Sequence, residues 1–63
     1  MYEKPTCRLI GEDGNVFHLM GIVSMTLKQH GQRDEARDMC QRVMASGSYE
    51  EAIRVMMEYV TVE

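Results

Sequence analysis

The sequence predicts an α+β fold in which three helices form the core and strands from the two ends of the chain form a small two-stranded sheet, in the order β-α-α-α-β. The middle of the chain repeats apolar residues at helical spacing and is interrupted by two short glycine-containing turns. Both end segments instead alternate and are rich in β-formers. With 63 residues, the chain has room for one small domain, residues 1–63, because domains usually contain about 100–200 residues.

The first strand and the first helix follow from local signals near the N-terminus. Thr6–Ile10 is short, partly β-branched and bounded by Pro5 and a Gly-rich turn, which predicts a strand. Asn15 is a natural N-cap, and no proline interrupts the helical pattern of Val16–His30. Gly31 can adopt the left-handed conformation that ends many helices, so helix one is predicted to stop there.

Helix one is apolar on two sides, which is unusual for a surface helix. Ile22 and Met25 fall nearly opposite its main apolar stripe, and Gly21, a poor helix former, lies beside them. We therefore expect the main stripe to face the core and the opposite side to face something else. The main stripe consists of Val16, Leu19, Met20, Val23 and Leu27.

Two further helices and a closing strand complete the predicted core. Helix two is expected at about Asp34–Ala45, and helix three begins after the capping box Ser48–Glu51. Tyr59–Val62 changes to strict alternation, which predicts a strand that pairs with Thr6–Ile10, in either direction. The stripes of helices two and three, which include four methionines, are expected to be buried: Ala36, Met39, Cys40, Val43 and Met44, then Tyr49, Ala52, Ile53, Met56 and Met57.

The distribution of charge argues against nucleic-acid binding. The formal net charge is −3. Basic and acidic residues balance up to residue 47, and the acidic excess lies in the last segment, where Arg54 stands among four glutamates. Affinity for nucleic acid depends on a basic patch that releases counterions. Helices two and three are therefore not expected to form a DNA-binding helix-turn-helix.

The cysteines and histidines do not have the spacing of a metal site or a catalytic pair. Cys7, His18, His30 and Cys40 lie at least ten positions apart, whereas zinc ligands usually come in close pairs. Cys40 lies on an apolar stripe, where burial makes a thiol inert. We expect no metal, no cofactor, no disulfide and no enzymatic activity.

Three segments carry a resemblance to known proteins. They are Arg8–Phe17, with the sequence RLIGEDGNVF, then Gly47–Ala52 and Met57–Val60. Together these segments resemble a group of small proteins encoded in bacterial genomes and their prophages. The group has no established activity, so the resemblance implies a bacterial or phage origin and a cytoplasmic setting, and it assigns no site residue.

A protein-interaction or self-associating module is the function that the sequence favours, and an accessory protein associated with nucleic acid is the alternative. The predicted contact surface is the outer face of helix one, carrying His18, Ile22 and Met25. Its partner would be another protein or a second copy of the chain. The terminal strands could instead cover Ile22 and Met25, since the sheet needs an apolar surface beneath it. No segment is apolar enough over about 18 residues to span a membrane.

Overall fold

A computed structural model describes residues 4–9, 11 and 14–63 of the chain. Three helices pack against one another, and the two end strands pair on one side of them. This arrangement confirms the predicted α+β class and the β-α-α-α-β order. The elements are β1 (Thr6–Cys7), α1 (Val16–Gln29), α2 (Arg33–Ala45), α3 (Tyr49–Tyr59) and β2 (Thr61–Val62).

The two strands are parallel, with Thr6 opposite Thr61 and Cys7 opposite Val62. The pairing extends past the strands, because the Leu9 N–H donates to the Glu63 carbonyl at 2.8 Å. A parallel return requires a long crossover, which the three helices provide. The terminal segments therefore close the chain on itself.

Both strands are shorter than predicted. Tyr59 is the last residue of α3, and the buried Val60 caps that helix by donating its N–H to the Met56 carbonyl. The prediction of a strand from residue 59 was therefore wrong by two residues. At the other end, Ile10 of the predicted first strand lies outside the described residues.

Local capping explains where α1 begins and ends. The Asn15 side chain accepts a hydrogen bond from the Phe17 N–H at 2.8 Å, as the N-cap prediction required. At the other end Gly31 has a φ of 73°, and the Gln32 N–H donates to the Leu27 carbonyl at 2.8 Å. This is the Schellman arrangement, and it turns the chain directly into α2.

The N-terminus of α3 is capped by a variant of the predicted box. The Ser48 hydroxyl accepts from the Glu51 N–H at 3.2 Å. The Glu51 carboxylate, however, accepts from the Gly47 N–H at 2.8 Å. Two backbone donors are still satisfied, and the tight turn after α2 is held to the first turn of α3.

The core combines one side of each helix with the inward residues of the sheet. Met39 and Met56 are fully buried, but Met44 and Met57, which were predicted to be in the core, are exposed, as is Tyr49. On α3 the buried residues include Val55 and Tyr59, so the core side of that helix is rotated relative to the predicted stripe. The buried apolar set is Cys7, Leu9, Leu19, Val23, Leu27, Ala36, Met39, Val43, Ala52, Val55, Met56, Tyr59 and Val60.

Candidate interaction face

The outer side of α1 carries an apolar ridge that does not enter the core. Phe17, Gly21 and Met25 lie four residues apart and so follow one line along the helix. Leu19, Val23 and Leu27, on the other side of α1, are buried. Phe17 is 63% exposed and Met25 is 61% exposed, which is high for side chains of their size.

The three residues predicted to meet a partner have different environments. Met25 is exposed, and so is His18. Ile22 is partly buried and packs against the core. On the same side of α1, the Thr26 hydroxyl donates to the Cys7 sulfur at 3.4 Å, so β1 lies against this flank. Ile22 thus lies at the margin between the core and the open face, and Met25 lies fully on the face.

A shallow groove of about 420 Å³ lies along the ridge, and its lining includes Phe17, His18, Ile22 and Met25. It is open because Gly21 has no side chain. A Cβ atom added at Gly21 would meet nothing within 4 Å. No contact within the described chain therefore requires a glycine at this position.

Phe17 also forms a wall of a second groove, of about 400 Å³, at the junction of α2 and α3. Met44 and Tyr49 line this groove and are 67% and 51% exposed. The tight turn after α2 places these two side chains at the surface beside the start of α1. Since Phe17 lines both grooves, the two form one continuous surface.

We call this surface the apolar face and define it by Phe17, Met25, Met44 and Tyr49. Among the residues described as lining the two grooves there is no aspartate, glutamate, lysine or arginine. Met57 is a further large apolar side chain that is exposed, and it lies outside both grooves. Within the described part of the chain, the apolar face is therefore a localised patch whose grooves are lined by apolar and neutral polar residues.

Sequence reasoning missed three of its four residues. Met44 and Tyr49 were assigned to buried stripes, and Phe17 was assigned to neither side of helix one. A usable signal was present at Phe17, because it stands one turn before Gly21 and two turns before Met25.

A polar cluster joins α2 to α3 away from this face. Arg42 donates to both carboxylate oxygens of Glu58, at 2.8 and 2.9 Å, and to the Tyr59 hydroxyl at 3.2 Å. The Tyr59 hydroxyl in turn donates to Asp38. The hydrogen bonds from Arg42 lower the pKa of Glu58, whereas burial, followed by the bond to Asp38, raises the pKa of Tyr59. These contacts hold the two helices in register.

The remaining candidate chemistry is limited in the described part of the chain. Cys7 and Cys40 are free thiols, buried and half-buried respectively. No group of three or more His, Cys, Asp or Glu side chains among the described residues could hold a metal ion. None of the described helices combines the length and apolar character needed to cross a membrane.

Basic side chains do gather at one place, on the side of α1 that meets α2. Lys28, Arg33 and Arg37 line a groove of about 360 Å³ together with Ser24. The count of charges along the sequence did not reveal this cluster, because nearby acidic residues balance Arg33 and Arg37 in the chain. The cluster bears on the alternative function.

Comparison of the chain with family models, curated proteins and solved structures finds no match. The geometry of the surface is therefore the basis for assigning a function.

Proposed function

We propose that this protein is a non-enzymatic interaction module that binds a protein surface through its apolar face. The observation that carries the proposal is the continuity of the four exposed side chains Phe17, Met25, Met44 and Tyr49 around two adjoining grooves. Scattered exposed apolar residues are ordinary, but a contiguous apolar patch is typical of a binding surface. Large aromatic and methionine side chains are also enriched at such surfaces.

The chemistry of the grooves favours binding over catalysis. A nucleophile needs a base within hydrogen-bond reach. Ser46 and Ser48 line the groove at the α2–α3 junction, whereas His18 lines the groove on α1. Thr26 shares that second groove, but its hydroxyl hydrogen-bonds to the Ile22 carbonyl at 2.9 Å. The resemblance to small bacterial and prophage proteins supports a cytoplasmic setting for this binding.

Capture and titration test the proposal. Tagged wild-type chain and its Phe17→Glu and Met57→Glu variants are used to capture proteins from bacterial lysate. Each protein recovered is then purified and titrated against all three. We expect a partner, or the chain itself, to bind wild type and Met57→Glu equally and Phe17→Glu at least tenfold more weakly, a difference of about 1.4 kcal/mol. Equal binding by all three would contradict the proposal.

The second candidate is an accessory protein associated with nucleic acid, and the groove of Lys28, Arg33 and Arg37 favours it. Three cations around one groove could contact neighbouring phosphates. A gel-shift assay with duplex and single-stranded DNA at low salt tests this function. If the protein binds nucleic acid through this groove, the wild-type chain shifts the DNA band and Arg37→Ala weakens that shift. Arg54→Ala, on the acidic helix α3, leaves the shift unchanged. No shift by the wild-type chain would contradict it.

A further inference from the structure

We propose that the occupant of the apolar face is a second copy of this chain, and that two α1 helices cross antiparallel at Gly21 about a two-fold axis. This inference rests on the proposed function and names the partner. Its evidence is the spacing along α1, the neutral character of the described residues that line the grooves and the area that the face exposes.

Gly21 provides the crossing point. The ridge of Phe17, Gly21 and Met25 follows the four-residue rows by which helices interlock most often. At the middle of that ridge, a Cβ atom would meet nothing within 4 Å. The backbone of α1 is therefore open to the close approach of another helix between Phe17 and Met25.

The ridge is complementary to itself in the antiparallel direction. A two-fold axis at Gly21 brings the residue four positions before Gly21 in one copy against the residue four positions after Gly21 in the other copy. Phe17 of each copy then packs on Met25 of the other, and a thioether against an aromatic ring is a favourable contact. A parallel crossing would instead place His18 beside its own copy and align the two helix dipoles. The antiparallel direction avoids both.

The neutral character of the described groove residues favours a symmetric contact. In a two-fold interface the same patch occurs on both sides, so a charge near the axis meets its own copy. The grooves are lined by no aspartate, glutamate, lysine or arginine among their described residues. The acidic side chains Glu50, Glu51 and Glu58 do not line either groove. The Glu51 carboxylate accepts from the Gly47 N–H at the edge of the groove between α2 and α3 and not on the α1 ridge.

The exposed area is sufficient for the centre of a dimer interface. Phe17, Met25, Met44 and Tyr49 are each more than half exposed. Side chains of this size present roughly 200 Å² each, so the four expose roughly 500 Å² in total. A standard interface buries about 800 Å² on each partner, of which the centre is the most apolar part. The surrounding polar residues of α1 and of the α2–α3 turn would supply the rim.

Sedimentation equilibrium tests the dimer with the full chain. We expect wild type and Met57→Glu to dimerise with the same Kd. Gly21→Leu, which fills the crossing point, and Met25→Glu should each raise that Kd by about tenfold or more. Circular dichroism must show that all four chains are folded. A wild type that stays monomeric at about 1 mM, or a dimer that neither change weakens, would overturn the inference.

Disulfide trapping tests the direction of the crossing. Phe17→Cys and Met25→Cys chains are prepared in a Cys40→Ser background, with the buried Cys7 left in place, and mixed in equal amounts. Random pairing of equal amounts would make the mixed disulfide about half of the product, and the antiparallel arrangement predicts that it is nearly all of it. A mixed disulfide at or below half of the product would overturn that arrangement.

The inference and the proposed function fail separately. If the wild type is monomeric but a captured protein still binds through Phe17, the second copy is wrong and the interaction module stands. If Phe17→Glu changes neither association nor binding of any captured protein, the proposed function fails as well.

Discussion

At the scale of single residues, two glycines have opposite roles that substitution can separate. Gly31 is the C′ residue of α1 with a positive φ, where a side chain is strained. Gly21 is an exposed residue inside a helix, with open space where a Cβ would lie. The fold of one chain therefore explains why residue 31 is a glycine, but it does not explain why residue 21 is one.

Gly21→Ala should therefore stabilise the isolated chain, by about 0.5–1 kcal/mol, because alanine is a better helix former in the interior of a helix. Gly31→Ala should destabilise it by about 1 kcal/mol or more, because φ must remain positive there. Urea unfolding at a concentration where the chain is monomeric measures both. A loss of stability in Gly21→Ala would mean that the fold itself needs this glycine.

Tyr59 should make stability depend on alkaline pH. Burial, followed by the hydrogen bond to Asp38, raises its pKa in the folded chain. The neutral phenol is therefore favoured by folding, so this contribution is complete below the ordinary tyrosine pKa of about 10 and is lost as the pH rises through the folded pKa. Thermal melts from about pH 8 to pH 11 should show a larger drop in the melting temperature for wild type than for Tyr59→Phe.

The exposed Tyr49 supplies the matched control. Tyr49→Phe should lose stability with rising pH as the wild type does. An unchanged alkaline loss in Tyr59→Phe would contradict the assignment of this loss to the Tyr59 phenol.

At the scale of elements, the cap of α3 illustrates how local sequence sets a helix boundary. The Ser48 hydroxyl accepts from the Glu51 N–H at 3.2 Å. Ser48→Ala should lower the free energy of unfolding by about 1 kcal/mol because that donor loses its partner. Ser24→Ala, inside α1, should be neutral or slightly stabilising because alanine is the better helix former. Urea titrations compare the two, and an equal effect would contradict the capping role.

The pairing of β1 with β2 makes a second prediction at this scale. Thr61 donates its N–H to the Pro5 carbonyl at 2.9 Å, and Glu63 donates to the Cys7 carbonyl at 2.9 Å. Thr61→Pro removes the first donor and should lower the free energy of unfolding by about 1–3 kcal/mol. Val62→Pro lies between the two donors and should cost less. The reverse order in chemical unfolding would contradict the observed register.

Local signals predicted the elements better than they predicted which side chains are buried. Asn15, Gly31 and Ser48 act within their own turns, so their roles can be recognised in the sequence. The strand predicted from Tyr59 began two residues too early because Tyr59 ends α3 and its hydroxyl bonds to Asp38 and Arg42 of α2, which lie 21 and 17 positions earlier in the sequence.

The residues of the apolar face were harder to predict, because their exposure also depends on contacts between residues that are far apart in the sequence. Met25 stood out because it lies opposite a full stripe on its own helix. Met44 and Tyr49 fitted apolar stripes equally well, and their exposure depends on how α2 and α3 turn about the buried Met39 and Met56. Helical spacing predicts which residues share one side of a helix, but tertiary packing determines which of them are buried.

At the scale of the whole molecule, the chain combines a buried apolar core with an apolar face that the described residues leave exposed. A chain of about 60 residues buries only about 60% of the surface that its unfolded form exposes, so its core gives a small margin of stability. Association through the apolar face would add to that margin. We therefore expect the thermal midpoint of the wild type to rise with protein concentration, and that of Met25→Glu to rise less over the same range.

The central claim is that Phe17 and Met25 of two copies meet across Gly21, and an isotope-filtered NOE experiment on mixed labelled and unlabelled chains tests it most directly. Within one helix the two residues are about 12 Å apart along the axis, too far for a cross-peak between them. The account predicts intermolecular cross-peaks between the Phe17 ring and the Met25 methyl group at concentrations where the chain is dimeric. A dimer whose intermolecular cross-peaks join other surfaces, or a sample with none, would contradict it.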